Sequence, residues 1–317
     1  MNTPAPLELS IVSTLYKSRP FLEEFLHACL EAVARLPIRS YELVLVNDGS
    51  PDESLAYVLS RRKDIPQLVV VDLTRNFGHH AAMLAGIRTA RGERIFVIDC
   101  DLEVHPSVLP QFFETQQRTG ADLVYGYQEV RKGGWFERVS GGLFWKGFNL
   151  LSDLKVPENM LTERIMTRRY AEALCRLGDH NLFLGGMMTW VGFDQIGIPI
   201  PKGQRAGQST YTLLKRVRLM INAVTSFTAQ PLVWMFNAGV VITLASFTFL
   251  AYLVVRRLVF GDVLLGFTSL MGMMALSLGI LTTALGLIGI YLGKVFSQVQ
   301  NRPNYIIRDI HRSWDDA

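Results

Sequence analysis

The sequence predicts an α/β fold, in which a mostly parallel sheet with helices on both faces is followed by two membrane-spanning helices. Three observations support this prediction. Patterns typical of strands and helices alternate from the amino terminus, polar clusters follow several of the strands, and two long runs near the carboxyl terminus contain no Asp, Glu, Lys or Arg. Alternation of strand and helix is typical of a parallel sheet, because successive parallel strands need a crossover between them.

The first elements follow from apolar periodicity and from the turn residues that interrupt it. Short apolar runs bounded by turn residues are typical of strands, whereas apolar residues at helical spacing over longer stretches indicate helices. The predicted order is strand 7–15, helix 20–35, strand 41–46, helix 52–62, strand 68–73, helix 79–90 and strand 94–98. The last strand contains the uninterrupted apolar run Ile95-Phe96-Val97-Ile98, which indicates burial on both faces of the sheet.

Polar residues follow three of the predicted strands. They are Asn47-Asp48, Arg75-Asn76 and Asp99-Cys100-Asp101. Because ligands of open parallel sheets bind at the carboxyl ends of the strands, we expect these clusters to converge on one site. The sequence contains neither GxGxxG nor GxxxxGK followed by Ser or Thr, so the dinucleotide and Walker phosphate motifs do not explain them.

Asp99 and Asp101 place two carboxylates directly after a buried strand. Like charges at this distance raise each other's pKa unless a hard cation such as Mg²⁺ or Mn²⁺ shares them with phosphate oxygens of a substrate. An isolated Asp-x-Asp is more often a solvated turn, but the buried strand before it favours a metal and diphosphate site.

The cysteines and the amino terminus indicate a reducing compartment for the first part of the chain. Cys29, Cys100 and Cys175 are widely spaced and odd in number, which argues against both a disulfide framework and a zinc site. The amino-terminal segment shows no basic stretch followed by an apolar one, so we expect no signal peptide. The net charge of +4 is modest, and the position of the charges is more informative than their sum.

Residues 232–255 and 265–292 are each long enough to span a bilayer without a charged side chain. Basic residues on both flanks predict that these flanks are cytoplasmic; they are Lys215, Arg216 and Arg218 before the first run, and Lys294, Arg302 and Arg308 after the second. Arg256 and Arg257 in the connection weaken this orientation. The alternative is a buried helical hairpin in a soluble protein.

The sequence divides into four parts. These are a cytoplasmic domain 1–211, a juxtamembrane amphipathic helix 212–228, a two-helix transmembrane hairpin 229–296 and a cytoplasmic tail 297–317. A further aromatic-rich stretch, 143–151, is predicted to be an amphipathic helix in the membrane interface, with a core helix as the alternative.

Several motifs together resemble one known family. VNDGSPDES, TRNFGHHAAMLAGI, VIDCDLEVHP, NLFLGGMMTWVGF and RAGQSTY occur in this order and precede the two apolar runs. This arrangement resembles family 2 glycosyltransferases that act on polyprenyl phosphate, such as dolichol or undecaprenyl phosphate. The resemblance implies a Rossmann-like, A-type glycosyltransferase fold and a tetrameric enzyme of the bacterial inner membrane. Its reaction would be the inverting transfer of a hexosyl group from a nucleotide sugar, with UDP favoured over GDP, to a lipid phosphate for cell-envelope glycans.

The resemblance also assigns roles to individual residues. It implies Mg²⁺ or Mn²⁺ at Asp99 and Asp101, and a donor pocket that contains Tyr16, Asp48, Arg75, Glu103 and Arg205. Glu103 stands where many relatives carry Gln, so it adds a carboxylate for metal or sugar. The acceptor phosphate would contact Arg131, Arg138 and Ser140. His79 and His80 are instead expected to face solvent at the start of a helix, without a zinc role.

Two positions depart from the family pattern. Arg164 matches the arginine of a segment that usually reads Gly-Asp-Phe-Arg, but here Thr162 and Glu163 precede it, so the usual aspartate is missing. Glu163 is a substitute one position away, unless this subgroup works without the residue. Thr210 stands where relatives commonly have Lys. These departures leave open a non-catalytic membrane scaffold that keeps a nucleotide-sugar-binding fold.

Two other classes of protein fit less well. A processive polysaccharide synthase would carry a Gln-x-x-Arg-Trp motif and more spans, and a transporter would need polar groups inside its spans.

Overall fold

The computed structural model describes residues 7–128, 157, 159–180, 182–201, 225, 228–260 and 266–312. The strands are β1 (Leu9–Leu15), β2 (Tyr41–Asn47), β3 (Leu68–Leu73), β4 (Arg94–Val97), β5 (Leu123–Tyr127), β6 (Met160–Thr167), β7 (Gln195–Pro199) and β8 (Ile307–His311). The helices are α1 (Leu22–Ala34), α2 (Ser54–Arg61), α3 (His79–Thr89), α4 (Leu109–Thr119), α5 (Arg168–Arg176), α6 (Leu184–Val191), α7 (Gln230–Phe260) and α8 (Phe267–Gln300). A 3₁₀ helix, Pro106–Val108, precedes α4.

The described strands form one sheet in the order β7-β5-β6-β4-β1-β2-β3-β8. Its centre, β4-β1-β2-β3, is parallel, as the alternation of strands and helices predicts. Both flanks mix directions, because β8 pairs antiparallel with β3 and β6 pairs antiparallel with β4. The start of β6 therefore lies beside the end of β4, at the edge where the parallel strands terminate.

All seven predicted elements are present, with boundaries that differ by a few residues. Strand β1 begins at Leu9 rather than at residue 7, and α1 begins at Leu22 rather than at residue 20. The chain makes a turn before α1, in which the backbone N–H of Phe21 donates to the carbonyl of Ser18 at 3.0 Å. Strand β2 extends to Asn47, whose register partners are Leu15 of β1 and Asp72 of β3.

Both faces of the central strands are covered, which explains their nearly continuous apolar sequences. On one face Ile11, Leu43 and Phe96 belong to a core shared with Phe25 and Cys29 of α1. Helix α3 packs against the other face at Gly86, where a Cβ atom would lie 2.4 Å from Cγ1 of Val12 and 2.9 Å from Cγ2 of Val46. Only glycine allows the helix to approach the sheet this closely.

The chain divides into two compact units, of which one contains the sheet, including β8, and the other contains α7 and α8. Within these two helices, Gln230–Phe249 and Leu276–Gln300 have a mean hydropathy of 1.8. Large apolar side chains along them are exposed, among them Phe236, Leu244, Phe247, Leu281 and Leu285. By length and composition, both helices are able to cross a membrane.

Candidate active site

The carboxyl ends of the parallel strands bring the predicted donor residues to one edge of the sheet. Tyr16 follows β1, Asp48 follows β2, Arg75 lies beyond β3 and Asp99 lies just past β4. Tyr16 is half exposed, with Nζ of Lys17 5.8 Å from the centre of its ring. The guanidinium of Arg75 stacks at 4.0 Å over the ring of Phe77. This edge therefore offers aromatic and cationic groups to a ligand.

The loops after β2 and β3 interlock. Gly49 has a positive φ of 57°, and a Cβ atom there would lie 2.5 Å from both the carbonyl carbon of Arg75 and the backbone nitrogen of Asn76. The carboxylate of Asp48 accepts hydrogen bonds from the backbone N–H groups of Phe77 at 2.7 Å and Gly78 at 3.0 Å. Burial raises the pKa of Asp48, and these two hydrogen bonds oppose the rise. Asp48 therefore fixes the loop that carries Arg75.

The loop after β1 is held by a second network, which sequence reasoning missed. Asp52 accepts hydrogen bonds from the hydroxyl of Ser50 at 2.6 Å and from the backbone N–H groups of Arg19 and Ser54, both at 3.1 Å. Burial raises its pKa, but the hydrogen bonds outweigh this effect and lower the pKa of Asp52 to about 2. The available signal was an aspartate two residues before Ser54, a spacing at which its carboxylate can accept from the backbone N–H.

An acidic cavity of about 120 Å³ opens beside the end of β4. Its lining includes four carboxylic side chains, Asp99, Asp101, Glu103 and Glu163, together with Met160, Leu161 and Thr162. Oδ1 of Asp101 accepts a hydrogen bond from the backbone N–H of Glu103 at 3.0 Å. Between them Leu102 adopts a φ of 58°, a conformation that is unfavourable for a branched side chain and is typical of functional sites.

The cavity fits a hard divalent cation by the chemistry of its donors. Carboxylate oxygens suit Mg²⁺ and Mn²⁺, which commonly bind one or two protein carboxylates and complete their coordination with water and substrate phosphates. In the described part of the chain, no group of three His, Cys, Asp or Glu side chains is arranged to hold a metal by itself. The fit of the cavity to a cation therefore rests on the chemistry of its carboxylates alone.

Strand β6 supplies the second wall of the cavity. Glu163 is buried and lines the same space as Asp99. Arg164 is also buried, and its guanidinium donates to the carbonyls of Thr162, at 2.7 Å, and Leu161. Burial lowers the pKa of Arg164, while the nearby Tyr170, Glu163 and Asp99 oppose this shift. Arg164 thus shapes the segment that faces the cavity.

At the start of α3, His79 is exposed, as the sequence predicts, whereas His80 is partly buried. Nε2 of His79 lies 3.5 Å from Oδ1 of Asp99, and Nδ1 of His80 lies 2.9 Å from the carbonyl of Leu182. Gly78, with a φ of 97°, is the residue that precedes α3. Burial lowers the pKa of His80.

The predicted acceptor residues lie outside the described residues. They are Arg131, Arg138 and Ser140. Also outside lie Arg205, Thr210, the predicted amphipathic helix 143–151 and the predicted juxtamembrane helix 212–228 except for residues 225 and 228. Of the predicted site residues, the structure places six at the carboxyl ends of the parallel strands: Tyr16, Asp48, Arg75, Asp99, Asp101 and Glu103. Arg164 is buried in β6, next to the cavity-lining residue Glu163.

Comparison with known proteins agrees with this architecture. The family model "Glycosyl transferase family 2" matches residues 10–178, which contain the acidic cavity. A protein of Mycobacterium tuberculosis, named only as a glycosyltransferase, is 36% identical over 97% of this chain and 89% of its own length. The SfII prophage-derived bactoprenol glucosyl transferase of Shigella flexneri is 31% identical over 96% of this chain and 99% of its own length.

Among solved structures, a mannosyltransferase of Pyrobaculum calidifontis in complex with GDP-Man and Mn²⁺ is 17% identical over 94% of this chain and 89% of that one, with a TM-score of 0.47. The family match covers more than half of the chain, and the similarity to the curated relatives covers nearly all of it. The chain therefore belongs to glycosyl transferase family 2.

Proposed function

We propose that the protein transfers a sugar from a nucleotide sugar, UDP-linked in preference to GDP-linked, to a polyprenyl phosphate, with inversion at the anomeric carbon. The observation that carries this proposal is the similarity to a bactoprenol glucosyl transferase over 96% of the chain. That similarity extends beyond residue 178, where the family match ends, into the apolar helices. The acidic cavity at the strand ends supports the donor half of the reaction.

On the donor side, Tyr16, Asp48 and Arg75 would line the nucleotide pocket, and Arg205 would contact the diphosphate. Asp99 and Asp101 would hold Mg²⁺ or Mn²⁺, with Glu103 and Glu163 adding negative charge to the same cavity. When bound, the cation would supply positive charge that stabilises the leaving nucleoside diphosphate. Further positive charge at the diphosphate would come from Arg205.

On the acceptor side, the reaction needs no protein base. A lipid phosphate is already ionised at neutral pH, so its oxygen attacks the anomeric carbon as the bond from that carbon to the diphosphate oxygen breaks. The task of the protein is alignment and charge compensation. We assign compensation at the acceptor phosphate to Arg131, Arg138 and Ser140.

We further propose that α7 and α8 cross the bacterial inner membrane, with the catalytic unit on the cytoplasmic side. The support is the length and hydropathy of the two helices together with the basic residues that flank them. We also propose that the product serves cell-envelope glycans, as the family resemblance implies. The tetramer implied by the family resemblance stays a prediction.

The proposal is tested by glycolipid synthesis with the purified full-length protein in detergent. Undecaprenyl phosphate, Mn²⁺ and radiolabelled UDP- and GDP-sugars are supplied in parallel, and the lipid phase is counted. We expect one donor to label the lipid, and Asp101→Asn to reduce turnover by at least about 100-fold, because the cation loses a ligand.

Asp64→Asn is the matched control, because Asp64 is an exposed aspartate paired with Arg61 at 3.1 Å on the surface. We expect this variant to stay within about twofold of wild type, as surface pairs contribute little. Absence of glycolipid with every donor, or full turnover in Asp101→Asn, would refute the proposal.

A further inference from the structure

The carboxyl-terminal strand β8 brings Arg308 to the donor edge of the sheet. Nη1 of Arg308 lies 3.1 Å from Oδ2 of Asp72 in β3, and Nη2 donates to the carbonyl of Thr74 at 3.0 Å. Thr74 is the first residue of the loop that carries Arg75. One planar guanidinium therefore contacts both the end of β3 and the start of the loop beyond it.

The contact continues through Asp72 to the neighbouring loop. Asp72 is buried, and its Oδ1 accepts a hydrogen bond from Nδ2 of Asn47 at 2.7 Å. Oδ1 of Asn47 in turn accepts from the backbone N–H of Ser50 at 3.2 Å, across the turn that contains Asp48. A buried carboxylate requires a compensating charge, and Arg308 supplies it. The orientation of the Asn47 amide, and with it the turn, thus depends on this ion pair.

We propose that Arg308 is a positioning residue for the donor pocket. It holds the loops after β2 and β3 from the side of β8, in the arrangement that receives the nucleotide. This inference rests on the proposed function, because it concerns the same donor site. Arg308 acts through Asp72 and Thr74, so its loss is expected to weaken donor binding and to leave the chemical step nearly unchanged.

Strand β8 has other attachments, so a substitution at Arg308 is expected to leave the strand in the sheet. The backbone N–H of Thr74 donates to the carbonyl of Ile306 at 3.0 Å, and Nη2 of Arg62 donates to the carbonyl of Arg312. The ladder with β3 also includes the register pairs Val70 with His311 and Val71 with Ile310. Arg308→Gln therefore removes the positive charge and the paired Nη1 and Nη2 donors, while β8 stays in the sheet.

The chain offers a closely matched control at the opposite edge of the sheet. Arg169 is 66% exposed and pairs through Nε and Nη2 with the buried carboxylate of Asp122, as Arg308, 59% exposed, pairs with buried Asp72. Asp122 immediately precedes β5, which runs in the direction of β4, so this pair lies at the amino ends of the parallel strands. Arg169→Gln breaks the same kind of ion pair far from the donor edge.

The experiment compares full-length wild type, Arg308→Gln, Arg308→Lys and Arg169→Gln. Binding of UDP and of GDP, each with Mn²⁺, is measured by calorimetry, and the donor KM and kcat are measured in the glycolipid assay. We expect Arg308→Gln to weaken nucleotide binding and raise the donor KM about tenfold, with kcat within about twofold of wild type. Arg308→Lys keeps the charge but not the two planar donors, so its nucleotide affinity and donor KM are expected to lie between those of wild type and Arg308→Gln.

Arg169→Gln is expected to lower the thermal midpoint as Arg308→Gln does, with nucleotide affinity and donor KM as in wild type. The inference is overturned if Arg308→Gln binds nucleotide as wild type does, if both glutamine variants lose affinity equally, or if wild type binds neither nucleotide. Failure of the proposed function is a separate outcome, because wild type would then bind nucleotide without forming glycolipid.

Discussion

Gly49 lies where the loops after β2 and β3 touch, and two separate constraints act on it. Its φ of 57° disfavours any side chain, and a Cβ atom would overlap the backbone between Arg75 and Asn76. A turn at Asn47-Asp48-Gly49-Ser50 is evident from the sequence alone. The close approach of the next loop is not, because it depends on the register between β2 and β3.

We therefore predict that Gly49→Ala destabilises the protein by about 2–4 kcal/mol, since backbone strain and a clash with the main chain add together. Gly120 is the control: its φ is 71°, but nothing lies within 4 Å of the position that a Cβ atom would occupy there. Gly120→Ala is expected to lose only about 1 kcal/mol, from strain alone. Chemical unfolding of both variants measures the difference, and equal losses would contradict the clash.

Asp52 gives a second prediction at this scale. The pKa of Asp52, about 2, lies below the usual value of about 3.9. Ionised Asp52 therefore stabilises the folded state, and this contribution is complete at a pH above about 4. This contribution is lost as the pH falls from about 4 towards 2, where the folded state also takes up the proton.

We predict that Asp52→Asn lowers stability at pH 7 and flattens the loss of stability between pH 4 and pH 2, because the variant has no carboxylate to protonate there. Thermal melts over this pH range, with Asp64→Asn as the surface control, provide the measurement. If the stability of Asp52→Asn falls between pH 4 and pH 2 as steeply as that of wild type, Asp52 contributes nothing to the acid dependence.

At the scale of elements, the sequence predicted the parallel centre of the sheet well. Strands β1 to β4 and helices α1 to α3 have strong apolar periodicity and clear turn residues, so their type and order follow from local patterns. Strand β6 lies beyond the last predicted element, strand 94–98, and its antiparallel pairing with β4 is a long-range contact that local periodicity does not reveal. Strand β8 was missed for a similar reason: Ile307–His311 is short, charged and separated by the apolar helices from the sheet that it joins.

Because β6 runs antiparallel to β4, its first half lies beside the end of β4, and Glu163 lines the acidic cavity there. We predict that Glu163→Gln raises the Mn²⁺ concentration needed for half-maximal glycolipid synthesis about tenfold, because the cavity loses negative charge. Glu114→Gln on α4, at a distance from this cavity, is the control and should match wild type. An unchanged Mn²⁺ requirement in Glu163→Gln would remove Glu163 from the site.

At the scale of the whole molecule, the unit built on the sheet and the unit of two apolar helices face different solvents in the proposed function. Exposed apolar surface of the extent seen on α7 and α8 is unfavourable in water. We predict that the full-length protein stays in the membrane pellet after washes with high salt and alkaline carbonate, and enters solution only with detergent. Release by either wash would contradict membrane-spanning helices.

The whole proposal depends on one physical claim: Asp99 and Asp101 bind a divalent cation together with a nucleotide diphosphate. Calorimetric titration of UDP and of GDP into the full-length protein, with and without Mn²⁺, examines it without an acceptor lipid. Wild type should bind one nucleotide at least about tenfold more tightly with Mn²⁺, and the variant with both Asp99→Asn and Asp101→Asn should lose this gain. The same Mn²⁺-dependent gain in the double variant would show that the cation binds elsewhere.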